Sequence, residues 1–182
     1  MNPVAPIGAY AALCRELALP FAYPGAPTAL MEAVDTGLLA EAFAWAATSP
    51  AAAGQTFNIT NGDVLVPGHA WPRLAERFGL ETGGEPPASL AAFFAEDSVQ
   101  AAWTRLAQRH GLRLTTLPEL LGESHHYLDL LLGARIAAKS LPVLLSTVKI
   151  RQAGFAAWRD SRDSLLNWLG RMADLKLLPP LR

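Results

Sequence analysis

The chain has 182 residues, of which 51% are hydrophobic and 17% charged, a balance that excludes a solvated disordered chain and fits one apolar-rich globular domain. Fifteen Lys and Arg face sixteen Asp and Glu, for a formal charge of -1, so no strong field favours nucleic acid or anionic membranes as partners. The lone Cys14 has no internal disulfide partner and falls in an apolar pattern, where a small buried hydrophobe in a reducing cytoplasm is the expectation. The opening residues lack the basic leader, apolar run and small-residue site of a signal peptide. The apolar stretches break well short of the roughly 20 residues that a membrane span needs.

In chain order, Ile7, Tyr10, Ala11, Cys14, Leu17 and Ala18 recur at helical spacing, which predicts an amphipathic helix with Arg15 and Glu16 on its other side. Leu19 to Gly25 alternates aromatic residues with Pro and Gly, as a short edge strand ending in a turn does. Asp35 or Thr36 is placed to cap a helix over Leu38 to Ala47, with Leu38, Leu39, Ala42, Phe43 and Ala46 as its apolar stripe. Gln55 to Thr60 alternates polar and apolar β formers before the turn Asn61-Gly62-Asp63, the clearest strand signal in the chain. Helices are predicted over Trp71 to Phe78, Ser89 to Phe94, Asp97 to His110, Ser124 to Leu132 and Ser161 to Leu175. The Gly83-Gly84-Glu85-Pro86-Pro87 stretch reads as a linker, residues 142–145 as a short strand, and Ser146 as the cap of a turn leading to Gly154.

Strands this few and this far apart do not make a complete sheet. The series Phe57-Asn58-Ile59-Thr60-Asn61-Gly62-Asp63, Trp71-Pro72-Arg73-Leu74 and Phe78-Gly79-Leu80-Glu81 resembles the PRISE enzymes, the progesterone 5-beta-reductase and iridoid synthase group of extended short-chain dehydrogenase/reductases. Tyr10 to Leu17, Phe21 to Gly25, Asp35 to Ala40, Lys149-Ile150-Arg151-Gln152-Ala153-Gly154-Phe155 and the ending Leu177-Leu178-Pro179 agree with it in order. The resemblance implies an α/β fold that is mostly helical: the C-terminal substrate-binding part of an NAD(P)-binding Rossmann-like architecture, without its N-terminal half. It implies one substrate-binding domain over 1–182, a residual α/β part over 1–66 and a mainly helical part over 67–182.

An intact enzyme of that kind is an NADPH-dependent carbonyl or enone reductase, acting on an apolar small molecule. Its glycine loop and Tyr-x-x-x-Lys pair have no counterpart here. No G-x-G-x-x-G or G-x-x-G-x-x-G occurs, and four residues beyond Tyr10, Tyr23 and Tyr127 stand Cys14, Pro27 and Leu131. Without glycines that let backbone N–H groups approach a pyrophosphate, and without a Lys-supported Tyr, no cofactor is expected to be bound by this chain alone.

His125-His126-Tyr127-Leu128-Asp129 is the densest chemically versatile cluster, with His125 and Asp129 one helical turn apart. His125, Tyr127 and Asp129 are therefore catalytic candidates, set against a structural role in starting or bracing a helix. His69 and His110 give no metal spacing with this pair, so no metal is expected. By the resemblance, Tyr127, Leu131 and Leu132 are candidate substrate-binding residues. Trp71, Trp103, Trp158 and Trp168 are expected in the core, Asn58 and Asn61 in turn formation, and Lys149 and Arg151 on a solvated helix face. Two further readings stay open: a stand-alone small-molecule binder or cofactor-free isomerase or cyclase, and self-association over apolar surface that a missing Rossmann half would cover.

Overall fold

A computed structural model describes residues 2–26, 29–133 and 144–181. Helix α1 (Val4–Glu16) buries every residue from Ala5 to Cys14. It is therefore not the amphipathic surface helix that the spacing predicts but a core helix, since a helix apolar on all sides is stable only when covered on all sides. Small residues make that possible. A Cβ added at Gly8 would lie 2.3 Å from Leu178 Cδ1, so its neighbour approaches the bare backbone directly.

Helix α2 (Thr36–Thr48) begins at Asp35, whose Oδ1 accepts hydrogen bonds from the Gly37 and Leu38 amides at 2.8 and 3.2 Å. Its predicted stripe is only half covered: Leu38 and Ala42 are buried, whereas Phe43 is 67% exposed and Ala46 exposed. Helix α3 (Pro67–Phe78) starts four residues before the expected Trp71, with Pro67 in its first turn, where the missing N–H costs nothing. Helices α4 (Leu90–Ala95) and α5 (Asp97–His110) follow as the periodicity predicts. Helix α6 (Leu117–Leu121), unforeseen, is held by a reciprocal capping box between Thr116 and Glu119. Then come α7 (Ser124–Leu132), α8 (Val148–Gln152) in place of the expected turn, and α9 (Ser161–Asp174), capped by Asp160.

Neither Gln55–Thr60 nor Leu19–Gly25 forms a strand of a sheet. Among the described residues only isolated bridges occur, Phe21 with Thr82 and Met31 with Leu65. Gln55–Thr60 keeps its alternation, with Phe57 and Ile59 half-buried and Thr56 and Asn58 exposed, but among the described residues none forms a β-bridge with it. Of the predicted strand 142–145, residues 142 and 143 lie outside the described residues, and Leu144 and Leu145 are not in a strand.

Two apolar clusters result. The larger is built around α1 with α3, α5, α6, α7 and α9, and includes Phe21 stacked on Trp71 at 4.4 Å. The smaller gathers Leu38 and Ala42 of α2 with Ile150 and Phe155, and Trp45, Phe57 and Ile59 pack against it. No helix of the described residues is long and apolar enough to cross a membrane.

Candidate functional site

Between the two clusters three loops meet on Asn61, which is 1% exposed. Its amide donates to the Ala33 carbonyl at 2.8 Å and its carbonyl accepts from the Arg159 amide at 3.0 Å. Its side chain accepts from the Asp35 amide at 2.6 Å and donates to Ser161 Oγ at 2.9 Å. Every polar group of this carboxamide's two ends is thus engaged, as burial demands. Ser161 in turn donates its hydroxyl to Asp63 Oδ1 at 2.5 Å and its amide to Oδ2 at 2.9 Å. At Gly62, φ is 97°, so the turn needs glycine for its left-handed conformation.

Asp35 joins this hub to α9. Its Oδ2 accepts from Ser164 Oγ at 2.5 Å and from the Trp168 indole N–H at 2.8 Å. Burial pushes the Asp35 carboxyl up, but the bonds from Ser164, Trp168, Leu38 and Gly37 outweigh it and hold the group below the ordinary carboxylate range. It therefore stays ionised near neutral pH.

Beneath the hub lies a cavity of about 410 Å³ walled by Ile7, Met31, Leu65, Ala70, Trp71, Leu74, Leu128 and Leu132, with Asp35, Thr36, Ser161, Ser164 and Trp168 at its polar end. A shallower groove of about 690 Å³ opens beyond Asp35 and Trp168, bordered by Trp158, Asp163, Asn167 and Arg171. An apolar cavity with a few fixed polar groups suits a small apolar molecule. Ser161 and Ser164 donate their hydroxyl protons to Asp63 and Asp35, so neither proton is left to donate elsewhere.

No protein-family model matches the chain. The (S)-8-oxocitronellyl enol synthase of Antirrhinum majus is 35% identical over 186 residues, covering 98% of this chain and 45% of that protein. That of Catharanthus roseus is 32% identical with the same coverage. The 3-oxo-Delta(4,5)-steroid 5-beta-reductase of Arabidopsis thaliana is 30% identical over 183 residues, again 98% of this chain and 45% of the relative. The chain is a homologue of the iridoid synthase and progesterone 5-beta-reductase group. It spans less than half the length of these relatives and corresponds to their C-terminal part. The mostly helical fold with almost no strand fits a partial segment of such an extended short-chain dehydrogenase/reductase.

Within this homologue the sequence-predicted site residues separate. Asp129 is buried and its two carboxylate oxygens accept from the Leu90 and Ala91 amides at 2.7 and 2.9 Å, so it caps α4 together with Ser89. His125 stacks edge-on against Phe94 at 5.9 Å and lies 4.1 Å from the His126 ring, its buried Nδ1 without a hydrogen-bond partner. Desolvation first, then His126, pushes its imidazole below the ordinary histidine value. Leu132 walls the cavity, whereas Tyr127 and Leu131 are 54% and 39% exposed and lie outside its lining.

The remaining expectations divide as well. Trp71 and Trp103 are core, with Trp71 donating its indole N–H to the Phe21 carbonyl at 3.1 Å. Trp158 is 64% exposed, contrary to its expected burial, because it sits on the rim of the open groove. Lys149 does not simply face solvent: its Nζ donates to the Thr56 carbonyl at 3.0 Å and lies over the Phe57 ring. Asn58 donates to the Ser146 carbonyl at 3.3 Å. Ser161 and Ser164 escaped sequence reasoning, since they meet Asn61 and Asp35 from far along the chain, and Trp168, expected in the core, is half-buried with its indole N–H on Asp35.

A dinucleotide's pyrophosphate needs helix amides free to approach it. Here the first amides of α2, α4, α6 and α9 already donate to Asp35, to Asp129 and Ser89, to Thr116 and to Asp160, and α5 opens on Glu96 and Asp97. Carboxylates at three of these ends, those of Asp35, Asp129 and Asp160, disfavour an anion there.

Proposed function

We propose that this chain is the substrate-binding portion of an NAD(P)H-dependent enone or carbonyl reductase of the short-chain dehydrogenase/reductase type. A nucleotide-binding half, upstream in the same polypeptide or separately encoded, supplies the reducing chemistry, and this chain alone is not redox-active. The observation that carries the reading is the apolar cavity beside the Asp35–Asn61–Ser161 hub, in a chain homologous to 45% of reductase-length relatives. Leu128, Leu132 and Trp71 bind and desolvate an apolar substrate, while the hub holds the polar end of the cavity in one geometry. Tyr127 and Leu131 are substrate-binding residues at the face that the other half closes. Asp129 and His125 act on helix packing rather than on bonds of the substrate.

The test is to measure NADPH binding and reduction of a 3-oxo-Delta(4,5)-steroid with the chain alone and with a nucleotide-binding half added. Neither is expected from the chain alone, and both are expected on addition. Tight NADPH binding by the isolated chain would sink this reading. Because the chain walls its cavity unaided, a second reading is a stand-alone small-molecule binder or cofactor-free isomerase or cyclase. Steroid binding by the isolated chain, lost at least tenfold in Ala70→Phe and accompanied by no dependence on an added half, would favour it.

A further inference from the structure

The open groove beside the apolar cavity takes no part in the function proposed above, and its lining is of another kind. Asp35, Ser164 and Trp168 border both spaces, so they form the partition between an apolar side and a polar one. On the groove side stands Trp158, 64% exposed. Single exposed apolar side chains are ordinary on a protein surface, but the backbone of this one is fixed. Its carbonyl accepts from Arg159 Nη1 at 2.8 Å, the following amide donates to the Asn61 carbonyl at 3.0 Å, and its Cβ lies beside Gly62. An indole on such a backbone offers a broad face at little ordering cost to a ligand.

Along the same groove α9 presents Asp163, Asn167 and Arg171, four residues apart and so aligned on one face of the helix over about 12 Å. Neither the Asp163 carboxylate nor the Asn167 carboxamide makes a hydrogen bond among the described residues. Arg171 lies 5.1 Å over the Trp168 ring, which restrains its guanidinium. The row thus offers an acceptor, a group that both accepts and donates, and a donor. Charge along the groove nearly cancels: Asp35, Asp160 and Asp163 stand against Arg159 and Arg171, and Arg159 is paired with Glu41. An anion there meets carboxylates and a cation meets guanidiniums. A neutral molecule with hydroxyls on its edge and C–H bonds on its face is matched by both the row and the indole, whose π face attracts the weakly positive C–H hydrogens. We infer that the groove binds a pyranose ring, stacked on Trp158 and hydrogen-bonded to Asp163, Asn167 and Arg171. The ring is a free sugar or the glycosyl unit of a glycoside. The volume of about 690 Å³ falls within the range of small-molecule sites, about 300–1,000 Å³. The inference stands apart from the reductase reading, since no nucleotide-binding half enters it.

The probes are the methyl glycopyranosides of glucose, galactose and mannose, added to the full chain and read by saturation-transfer NMR and by the indole N–H resonances. Binding of at least one is expected, with saturation strongest on the C–H protons of one ring face and with the Trp158 resonance moving. Trp158→Ala and Asn167→Ala, both at exposed positions, are expected to leave thermal melting unchanged. The first should weaken binding at least tenfold and the second by less, while Trp158→Tyr, which keeps an aromatic face, should recover part of the loss. Binding of none of the three sugars, or equal binding in Trp158→Ala, overturns the inference. So does binding abolished by Ala70→Phe, which fills the apolar cavity and leaves the groove alone. Tighter binding of tetramethylammonium or inorganic phosphate at Trp158 than of every sugar overturns it as well, because the occupant is then an ion. The phenyl glycoside of whichever sugar binds separates the two sources. A gain of at least tenfold over the methyl glycoside assigns the groove to glycosides, and equal affinity assigns it to free sugars.

Discussion

The two apolar clusters differ in how completely this chain builds them. Around α1, helices close from several sides, and Trp103, Leu13, Leu106 and Leu169 are fully buried. Around α2, four residues are buried and their aromatic neighbours Trp45 and Phe57 only partly so. Burying a large side chain contributes about 1.5–3 kcal/mol, so the first region sustains itself while the second leaves part of its own apolar surface in water. The difference leaves the α2 cluster as the less completely covered of the two among the described residues.

The strongest way to break this comparison is to truncate one anchor in each region. Trp103→Ala is expected to cost about 3–5 kcal/mol and to lower the thermal midpoint of the whole chain, since the indole is wholly buried. Phe155→Ala, in the smaller cluster, is expected to speed amide exchange in α2 and α8 while leaving the main helices protected, as a locally opening unit does. Equal loss of protection everywhere in Phe155→Ala would mean that the regions unfold as one.

The hub between them comes next. Asn61→Ala leaves the Asp35 amide without its acceptor and removes the bond that Ser161 Oγ accepts, and an unsatisfied buried group costs about 1–3 kcal/mol. Denaturant unfolding should register that loss, with α2 and α9 both gaining exchange. Asp35 sharpens the same point through pH. Its folded value is depressed, so its contribution is fully present above the ordinary Asp pKa of about 3.9 and is lost as pH falls through the lower folded value. In Asp35→Asn the acid-induced decline should be shallower, measured as melting temperature against pH between about 5 and 2.

Much of the helical framework was legible because it is local. Asp35, Ser89 and the periodicity of Asp97 to His110 act within a few residues, and they place helix starts and faces without reference to the rest of the chain. The capping box Thr116-Leu117-Pro118-Glu119 carried the same kind of signal for α6, and the five-residue length of that helix hid it from a search for periodicity. Pairing is not local. Gln55 to Thr60 has the alternation of a strand, and its Phe57 and Ile59 do face inward, but the alternation says nothing about whether a neighbour exists. Asp129 was legible as an important carboxylate and not as a cap, because the amides it accepts belong to Leu90 and Ala91, far back in the chain. The hub failed for the same reason: Ser161 and Ser164 are ordinary helix-start residues until folding sets them against Asn61 and Asp35.

The smallest expected effect lies in α7 and tests whether its histidine belongs to the packing or to chemistry. His125 is faced by His126, Glu123 and Asp129, and desolvation followed by the His126 interaction lowers its folded value despite the two carboxylates. A histidine depressed in the fold favours folding above its unfolded value of about 6.5, and that contribution is lost as pH falls toward the folded value, because the unfolded chain takes up the proton first. Melting temperature should therefore slip between about pH 7.5 and 5.5. His125→Phe, which keeps an edge-on ring against Phe94, should flatten the slope with little change at the higher pH. A steep slope retained in the variant would assign it to other groups. A variant stable and pH-flat in a reconstituted mixture, yet without turnover while still binding substrate, would return His125 from packing to chemistry.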